Sequence, residues 1–256
     1  MGAGGKGVTL ATVALGHVHE HHASVGSTND RALAWARAGA PHGAMVTADE
    51  QTAGRGRLGR RWVSPAGEGL YVSVVLRPAQ GWSPRWGALG LAVGLGLREG
   101  LAGWLPDVKL KWPNDLLVGG RKLAGVLCET RWQGAVPDVV IGFGINVLQR
   151  ELPAELKATS LAMEMADGTC PSRQVVLEAV LVGLERVLEG FWAGGFAAIR
   201  GGYERHSAVI GRALTVGGAA VVGVGFDEDG ALRVAGEAGG ASWRVEAEDV
   251  WLREPG

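Results

Sequence analysis

Cysteine is scarce in this 256-residue chain: there are two, Cys128 and Cys170, far apart and outside any Cys-x-x-Cys spacing. That argues against a disulfide framework or a zinc ribbon and favours a reducing cytoplasm. An excess of charge of either sign is also missing, with 25 Lys and Arg against 26 Asp and Glu and a formal net charge of −1. Such a balance speaks against a protein that coats nucleic acid through bulk charge, so basic residues matter where they cluster. No apolar run reaches the roughly 18 residues that a membrane helix needs. The short apolar stretch near the start is followed by His17–His22 where a signal peptide would have a small-residue cleavage site, so residues 1–16 read as a flexible tail.

What is present is a chain with 47% hydrophobic residues, enough for a sizeable core. Residues 27–38 open with a Ser-x-x-Asp capping pattern and continue with helical spacing. A short strand is expected over 44–48, a glycine- and arginine-rich loop over 51–61, and a strand over 69–76. A long apolar helix should start at Ser83-Pro84 and run through Ala102. Residues 108–111 read as a strand, 116–130 as a hairpin turning at Gly119-Gly120, and 136–147 as a further β-run. Helices are expected near 153–165, from 172 to about 189, and towards 205. After Ser207 the texture becomes short strands and turns, the mark of a small closed β-structure. The expected organisation is therefore a tail (1–16), an α/β catalytic-sized domain (17–206) and a small β-barrel (207–256).

Four segments carry chemistry. Gly54–Trp62 (GRGRLGRRW) places four arginines among glycines. Glycine lets backbone amides approach an anion, arginine offers forked donors to phosphate or carboxylate, and a tryptophan can stack on a purine. An exposed basic loop that binds RNA is the other reading, and spacing alone gives the two equal weight. RNA-binding RGG segments come in repeated, low-complexity context, however, whereas this one is single and flanked by strands. Lys111–Asp115 (KWPND) sets a cation, an amide and a carboxylate at a strand end, although Pro-Asn-Asp is also good turn chemistry. Lys122–Gly125 (KLAG) and Gly142–Asn146 (GFGIN) put small residues in β-runs, which marks close approach by a ligand or another backbone.

Taken in this order, together with Ser27-Thr28-Asn29, these strings resemble the biotin–protein ligase family over about residues 17–253. The chain departs from the family pattern at Gly69, where asparagine is common, and at Gly26, where an acidic residue is frequent. The resemblance implies an α/β (α+β) fold: a mixed sheet with helices like that of class II aminoacyl-tRNA synthetases, plus a small C-terminal SH3-like β-barrel. It also implies a two-step reaction, in which biotin and ATP give biotinyl-AMP and a lysine of a biotin carboxyl carrier protein then takes the biotin. By family match, Ser27, Thr28, Asn29, Gln51, Gly54, Arg55, Arg57, Lys122 and Gly125 would line the biotin side. Arg57, Trp62, Asn114, Lys122, Asn146 and Arg253 would meet the nucleotide, with Trp62 over the adenine. Arg55, Lys122, Lys111 and Asp115 would carry the chemistry, with Mg²⁺ on the triphosphate. Some ligases of this kind carry an N-terminal helix-turn-helix. About 16 residues before the first strand are too few for one, so a single-function form without DNA binding is expected. A monomer and a homodimer both stay open. The alternative on the same fold is a lipoyl or octanoyl transferase, which would use a cysteine acyl intermediate and no phosphate-binding arginine loop.

Other conspicuous residues have plainer explanations. His17, His19 and His21 alternate as metal ligands on a strand would, but no Asp or Cys spacing accompanies them, and an exposed edge strand explains them as well. Gly2–Gly7 looks like a phosphate loop without the required Ser or Thr or a preceding strand. Cys128 sits in an apolar run and is expected to be buried and inert.

Overall fold

Seven strands form a mixed sheet in the spatial order β1 (His19–Val25), β2 (Met45–Gln51), β3 (Gly69–Leu76), β7 (Val136–Asn146), β6 (Arg121–Gln133), β5 (Asp115–Val118) and β4 (Lys109–Lys111). Only β1 and β2 run parallel; the other neighbours are antiparallel. The computed structural model describes residues 11–77, 83–133, 136–165, 168–237, 239–245 and 250–253. The Gly2–Gly7 run lies outside them.

The two-residue period of a strand gives each face of this sheet a separate task. Leu70, Val72, Val74 and Leu76 of β3, with Val139, Ile141, Phe143 and Ile145 of β7 and Ala124 and Val126 of β6, enter the main core beneath α2 (Leu89–Leu101) and α4 (Arg173–Arg205). The intervening residues Ser73, Gly125, Gly142 and Gly144 face the other way. On that side α1 (Thr28–Arg37) covers Val46, Val75 and Val140. Glycine lets α2 and α4 pack closely: a Cβ on Gly96 would meet Leu184 Cα at 2.6 Å, and one on Gly100 would meet Val180 Cα at 2.5 Å. Every fully buried leucine at such a contact stabilises by about 1.5–3 kcal/mol, so this helix pair is a principal support of the sheet.

The second sheet has the order β11 (Trp243–Val245), β10 (Leu232–Gly236), β9 (Ala219–Phe226), β8 (Ala213–Val216) and β12 (Val250–Leu252), all antiparallel. Its Phe226 packs edge-on against Phe196 and Tyr203 of α4, so both sheets share one core. A polar link joins them as well, since Trp112 Nε1 donates to Gly230 C=O, between β9 and β10, at 3.0 Å, and Leu110 N–H ties β4 to the end of α4 by donating to His206 C=O at 2.7 Å.

Several expectations need correction. The end of the expected tail is docked: Leu15 is buried in the core, and the N–H groups of Val13, Ala14 and Leu15 donate to the Glu185 carboxylate. The helix expected near 153–165 is a single 3₁₀ turn (Ala154–Leu156) and the one-turn α3 (Leu161–Glu164). Lys157 adopts a left-handed conformation and leads into Ala158 and Thr159, whose backbones pair with Lys122; that tertiary pairing overrides local helix preference. The helix expected from Ser83 begins as a 3₁₀ segment (Pro84–Ala88) before α2. The two helices expected between 172 and 205 are present, but they meet at a kink at Gly195, whose φ of 65° is not helical, and not near Glu189. Ser27 stands at the N-cap of α1 without making a side-chain cap, because the helix start is turned into the site described next.

Candidate active site

The polar face of the main sheet ends in a cavity of about 120 Å³. Strand register builds its floor. Gly125 of β6 lies beside Gly144 of β7, and Gly142 lies between Ser73 and Leu127. None of these glycines faces open space. A Cβ on Gly144 would stand 2.4 Å from Trp62 Cε2, one on Gly125 3.1 Å from Trp62 Cζ3, and one on Gly142 1.9 Å from Asn29 Oδ1. The close approach anticipated from these glycines is thus made, within the chain itself, by the Trp62 indole and the Asn29 amide. Trp62 Nε1 is buried without a hydrogen-bond partner among the described residues, and Lys122 Nζ lies 5.3 Å from the ring centroid.

One wall is the start of α1. Thr28 donates to Gln51 Oε1 through its N–H at 2.9 Å and through its hydroxyl at 3.1 Å, and Gln51 Nε2 donates to Ser64 Oγ at 3.0 Å. Ser73, fully buried, donates to Thr28 Oγ1 at 2.8 Å or to Asn29 Oδ1 at 2.5 Å. Asn29 Nδ2 donates to Glu129 at 2.8 Å. Gly54 stands behind Gln51: a Cβ there would meet Trp62 O at 2.6 Å and Gln51 Nε2 at 3.1 Å.

The arginine loop forms the second wall as a tight hairpin. Gly56 N–H donates to Arg60 C=O at 2.7 Å and Trp62 N–H to Gly54 C=O at 2.9 Å, with exposed Leu58 at φ 55° on the tip. Arg55 reaches Asp30 at 2.7 Å and Glu129 at 2.8 Å. Burial lowers the Arg57 pKa, opposed by Asp115 and reinforced by Arg60.

The third wall is the strand end Lys111–Asp115. Lys122 Nζ lies 2.6 Å from Asp115 Oδ1, and Lys111 Nζ 3.9 Å from Asp115 Oδ2. Burial pushes the Lys111 pKa down; Asp115 pulls it up, and the cations Lys122 and Arg60 lower it further. Asn114 donates to Val126 C=O at 3.0 Å, tying the strand end to β6. Lys122 is braced through its own backbone, its N–H donating to Lys157 C=O at 2.8 Å and its C=O accepting from Thr159 N–H at 2.9 Å.

Ser27, Thr28, Asn29, Gln51, Arg55, Arg57, Trp62, Lys111, Asn114, Asp115, Lys122 and Gly125 therefore converge on this cavity. Three expected residues do not line it. Gly54 supports Gln51 from behind. Asn146 is buried and donates to Thr159 C=O at 2.9 Å, behind Lys122. Arg253 is paired with Glu237, and the second sheet reaches the cavity through Val250 instead. Sequence reasoning missed Ser73 and Glu129. The signal was available: Ser73 is the one polar residue inside GLYVSVVL, and Glu129 shares the strand face of Gly125. The histidines fall on the edge strand β1 and its approach, where His19 and His21 both contact Thr47 Oγ1, at 2.7 and 3.0 Å. Among the described residues, no group of three or more His, Cys, Asp or Glu is placed to hold a metal ion.

The site brings six cationic side chains, Arg55, Arg57, Arg60, Arg61, Lys111 and Lys122, onto a small polar cleft floored by glycine, which suits two anions held side by side. Comparison with known proteins agrees. Residues 22–146 match the model of the biotin/lipoate A/B protein ligase family. The chain is 37% identical over 237 residues to the biotin–[acetyl-CoA-carboxylase] ligase of Mycobacterium tuberculosis, covering 89% of this chain and 86% of that one. It is 36% identical over 233 residues to the bifunctional ligase/repressor BirA of Bacillus subtilis, covering 87% and 71%. The biotin protein ligase of Aquifex aeolicus, solved in complex with biotin and ATP, superimposes with a TM-score of 0.77 at 32% identity, covering 93% of this chain and 99% of that one. This chain belongs to the biotin/lipoate A/B protein ligase family and groups there with the biotin protein ligases.

Proposed function

We propose that the protein activates biotin with ATP and transfers it to a lysine of a biotin carboxyl carrier protein, in the cytoplasm. In the first step, a biotin carboxylate oxygen attacks the α-phosphorus of ATP and the bond to the β-phosphate breaks, giving biotinyl-AMP and pyrophosphate. In the second, the uncharged amine of the carrier lysine attacks the acyl carbon, AMP leaves, and the amine proton passes to solvent or a base. The observation that carries this reading is the convergence of Arg55, Arg57, Lys111 and Lys122 on one cavity beside the Gly125–Gly144 floor. A carboxylate and a phosphate repel each other, and preorganised cations offset that repulsion where the two must meet.

In this reading Ser27, Thr28, Asn29 and Gln51 hold the polar ring of biotin, with Gly54 keeping Gln51 in place. Arg55 exchanges its present carboxylate partners for the biotin carboxylate, and Arg57 closes over the adenylate. Lys122 meets the charge that develops between carboxylate and phosphate, oriented by Asp115, with Lys111 beside it. Asn114 and Trp62 serve the nucleotide side, and Trp62 must leave its place over Gly144 to do so. Asn146 acts through the Thr159–Lys122 brace and Arg253 from the rim. Residues 207–256 form an accessory module that assists the nucleotide or carrier. Mg²⁺ arrives on the triphosphate: among the described residues, the carboxylates nearest the cavity, Asp115, Glu129 and Asp30, are already engaged by Lys122 and Arg55, and no cluster is placed to hold a metal ion.

A lipoyl or octanoyl transferase working through a cysteine is disfavoured by both thiols. Burial raises the Cys128 thiol to about 12, helped by Glu129, and neither Cys128 nor Cys170 lines the cavity. Biotin-dependent exchange of labelled pyrophosphate into ATP tests the proposal. Exchange that needs biotin, and that lipoate or octanoate does not support, is the expected result; exchange without biotin would defeat it.

A further inference from the structure

Ser73 is fully buried in β3 and does not itself line the cavity, yet its hydroxyl stands between two residues that do, Thr28 and Asn29. Strand register sets it beside Gly142, whose missing side chain leaves room for the Asn29 amide. Groups that can only donate or only accept fix how the neighbouring amides are turned. Leu127 C=O at 3.2 Å and the Glu129 carboxylate at 2.8 Å accept, so Asn29 aims its NH₂ at them and its Oδ1 at Ser73. The Thr28 N–H donates, so Gln51 meets it with Oε1 and turns Nε2 to Ser64.

Between these fixed ends lie two hydroxyls with one proton each. The contact of Ser73 Oγ with Asn29 Oδ1, at 2.5 Å, is too short for two facing lone pairs, so the Ser73 proton lies in it. Ser73 Oγ then shows Thr28 a lone pair at 2.8 Å, and the Thr28 proton is shared between that oxygen and Gln51 Oε1 at 3.1 Å. We propose that Ser73 is a positioning residue that sets the hydrogen-bond polarity of Thr28, drawing its proton towards the sheet and leaving its oxygen a lone pair for the cavity. The site then selects a substrate ring that brings an N–H to Thr28 and repels one that brings an oxygen to the same place. The inference rests on the ligase reading given above, in which Thr28 meets the polar ring of biotin.

The test is steady-state pyrophosphate release with biotin and with its two cyclic carbamate analogues, in each of which one ring N–H is replaced by oxygen. Wild type, Ser73→Ala and Ser73→Cys are compared, each with a melting curve. Wild type prefers biotin to one of the two analogues by at least about 100-fold in kcat/KM, because a site built to pair with an N–H rejects a ring that lacks it. In Ser73→Ala the Thr28 proton is released to turn into the cavity and meet the ring oxygen, so that preference falls about tenfold, through KM. A purely structural loss would weaken biotin and both analogues alike and leave the ratio unchanged. KM for ATP stays within about twofold. Ser73→Cys keeps the side chain but offers only a weak donor and acceptor, so it follows the alanine variant and decides alone should that variant lose its fold. Thr28→Val lowers the same preference, and adding Ser73→Ala to it changes the ratio no further. A ratio unchanged in both Ser73 variants, or a wild type that accepts both analogues as readily as biotin, would overturn the proposal. A wild type without biotin-dependent pyrophosphate release would sink the ligase reading itself, a result distinct from either.

Discussion

Lys122 is fixed from several directions at once: its backbone is pinned on both sides by residues 157–159, its ammonium lies against Asp115, and the Trp62 ring lies beneath it. A cation held so firmly needs little reorganisation when charge develops beside it. Losing one preorganised donor of this type costs about 10²–10³ in rate, so Lys122→Ala should suppress adenylate formation by that factor in a pyrophosphate-release assay. Arg57→Gly should fail differently. It should form the adenylate but let it escape, seen as biotin on lysines of bystander proteins in a streptavidin blot. Normal adenylate formation by the first variant, or tight retention by the second, would mean these roles are misassigned. Gly144→Ala makes a third case, because its Cβ would fall 2.4 Å from Trp62 Cε2. That methyl displaces the indole from the floor and occupies the slot, and biotin affinity measured by calorimetry should fall at least about tenfold, comparable to an overpacking cost of 1–3 kcal/mol.

At the scale of elements, the arginine loop is a small hairpin standing on a rigid sheet. Its hydrogen bonds are few and solvent-facing, so it belongs to the low-stability end of the molecule. Amides 54–61 should exchange rapidly in the free protein and slow on adding biotin; unchanged exchange would count against the loop as a clamp. Much of this arrangement was legible beforehand. The alternation in 69–76 and the Gly-rich β-run of 136–147 placed β3 and β7, and the GRGRLGRRW and KWPND strings located two of the three walls. The illegible parts depend on contacts distant in sequence. Nothing local reveals that residues 157–159 forgo a helix to pair with Lys122, or that the glycine floor receives Trp62 from a loop about 80 residues earlier. Arg253 was expected beside the nucleotide from the family resemblance alone, but it pairs with Glu237, and Val250 lines the cavity from that strand.

For the molecule as a whole, one shared core couples the two sheets, and three of its histidines contribute to its acid sensitivity. Burial lowers the pKa of His19, His42 and His206 below the ordinary value of 6.5, with the neighbouring His21 helping at His19 and Glu185 opposing at His42. The unfolded chain therefore binds protons that the folded protein resists. Their contribution to stability is complete above 6.5 and is lost as pH falls below it, towards the folded pKa values. His42 adds a specific reason, since its Nδ1 accepts the Arg77 N–H at 3.0 Å and cannot do so once protonated. The melting temperature should decline from about pH 6.5 downward, and His42→Asn, which keeps an acceptor that does not titrate there, should lessen the decline. A melting temperature flat between pH 7 and 5 would contradict this.

The central claim is two chemical steps in one cavity, with an adenylate between them. A single-turnover experiment with enzyme, biotin and α-labelled MgATP, quenched and then repeated with the apo carrier domain added, tests it most directly. The account predicts biotinyl-AMP and pyrophosphate in equal amounts before the carrier is added. It then predicts disappearance of the adenylate as AMP and biotinyl-lysine appear together, unchanged when Cys128 and Cys170 are both replaced by alanine. Pyrophosphate release that ignores biotin, or biotin recovered on a cysteine of the enzyme, would contradict it.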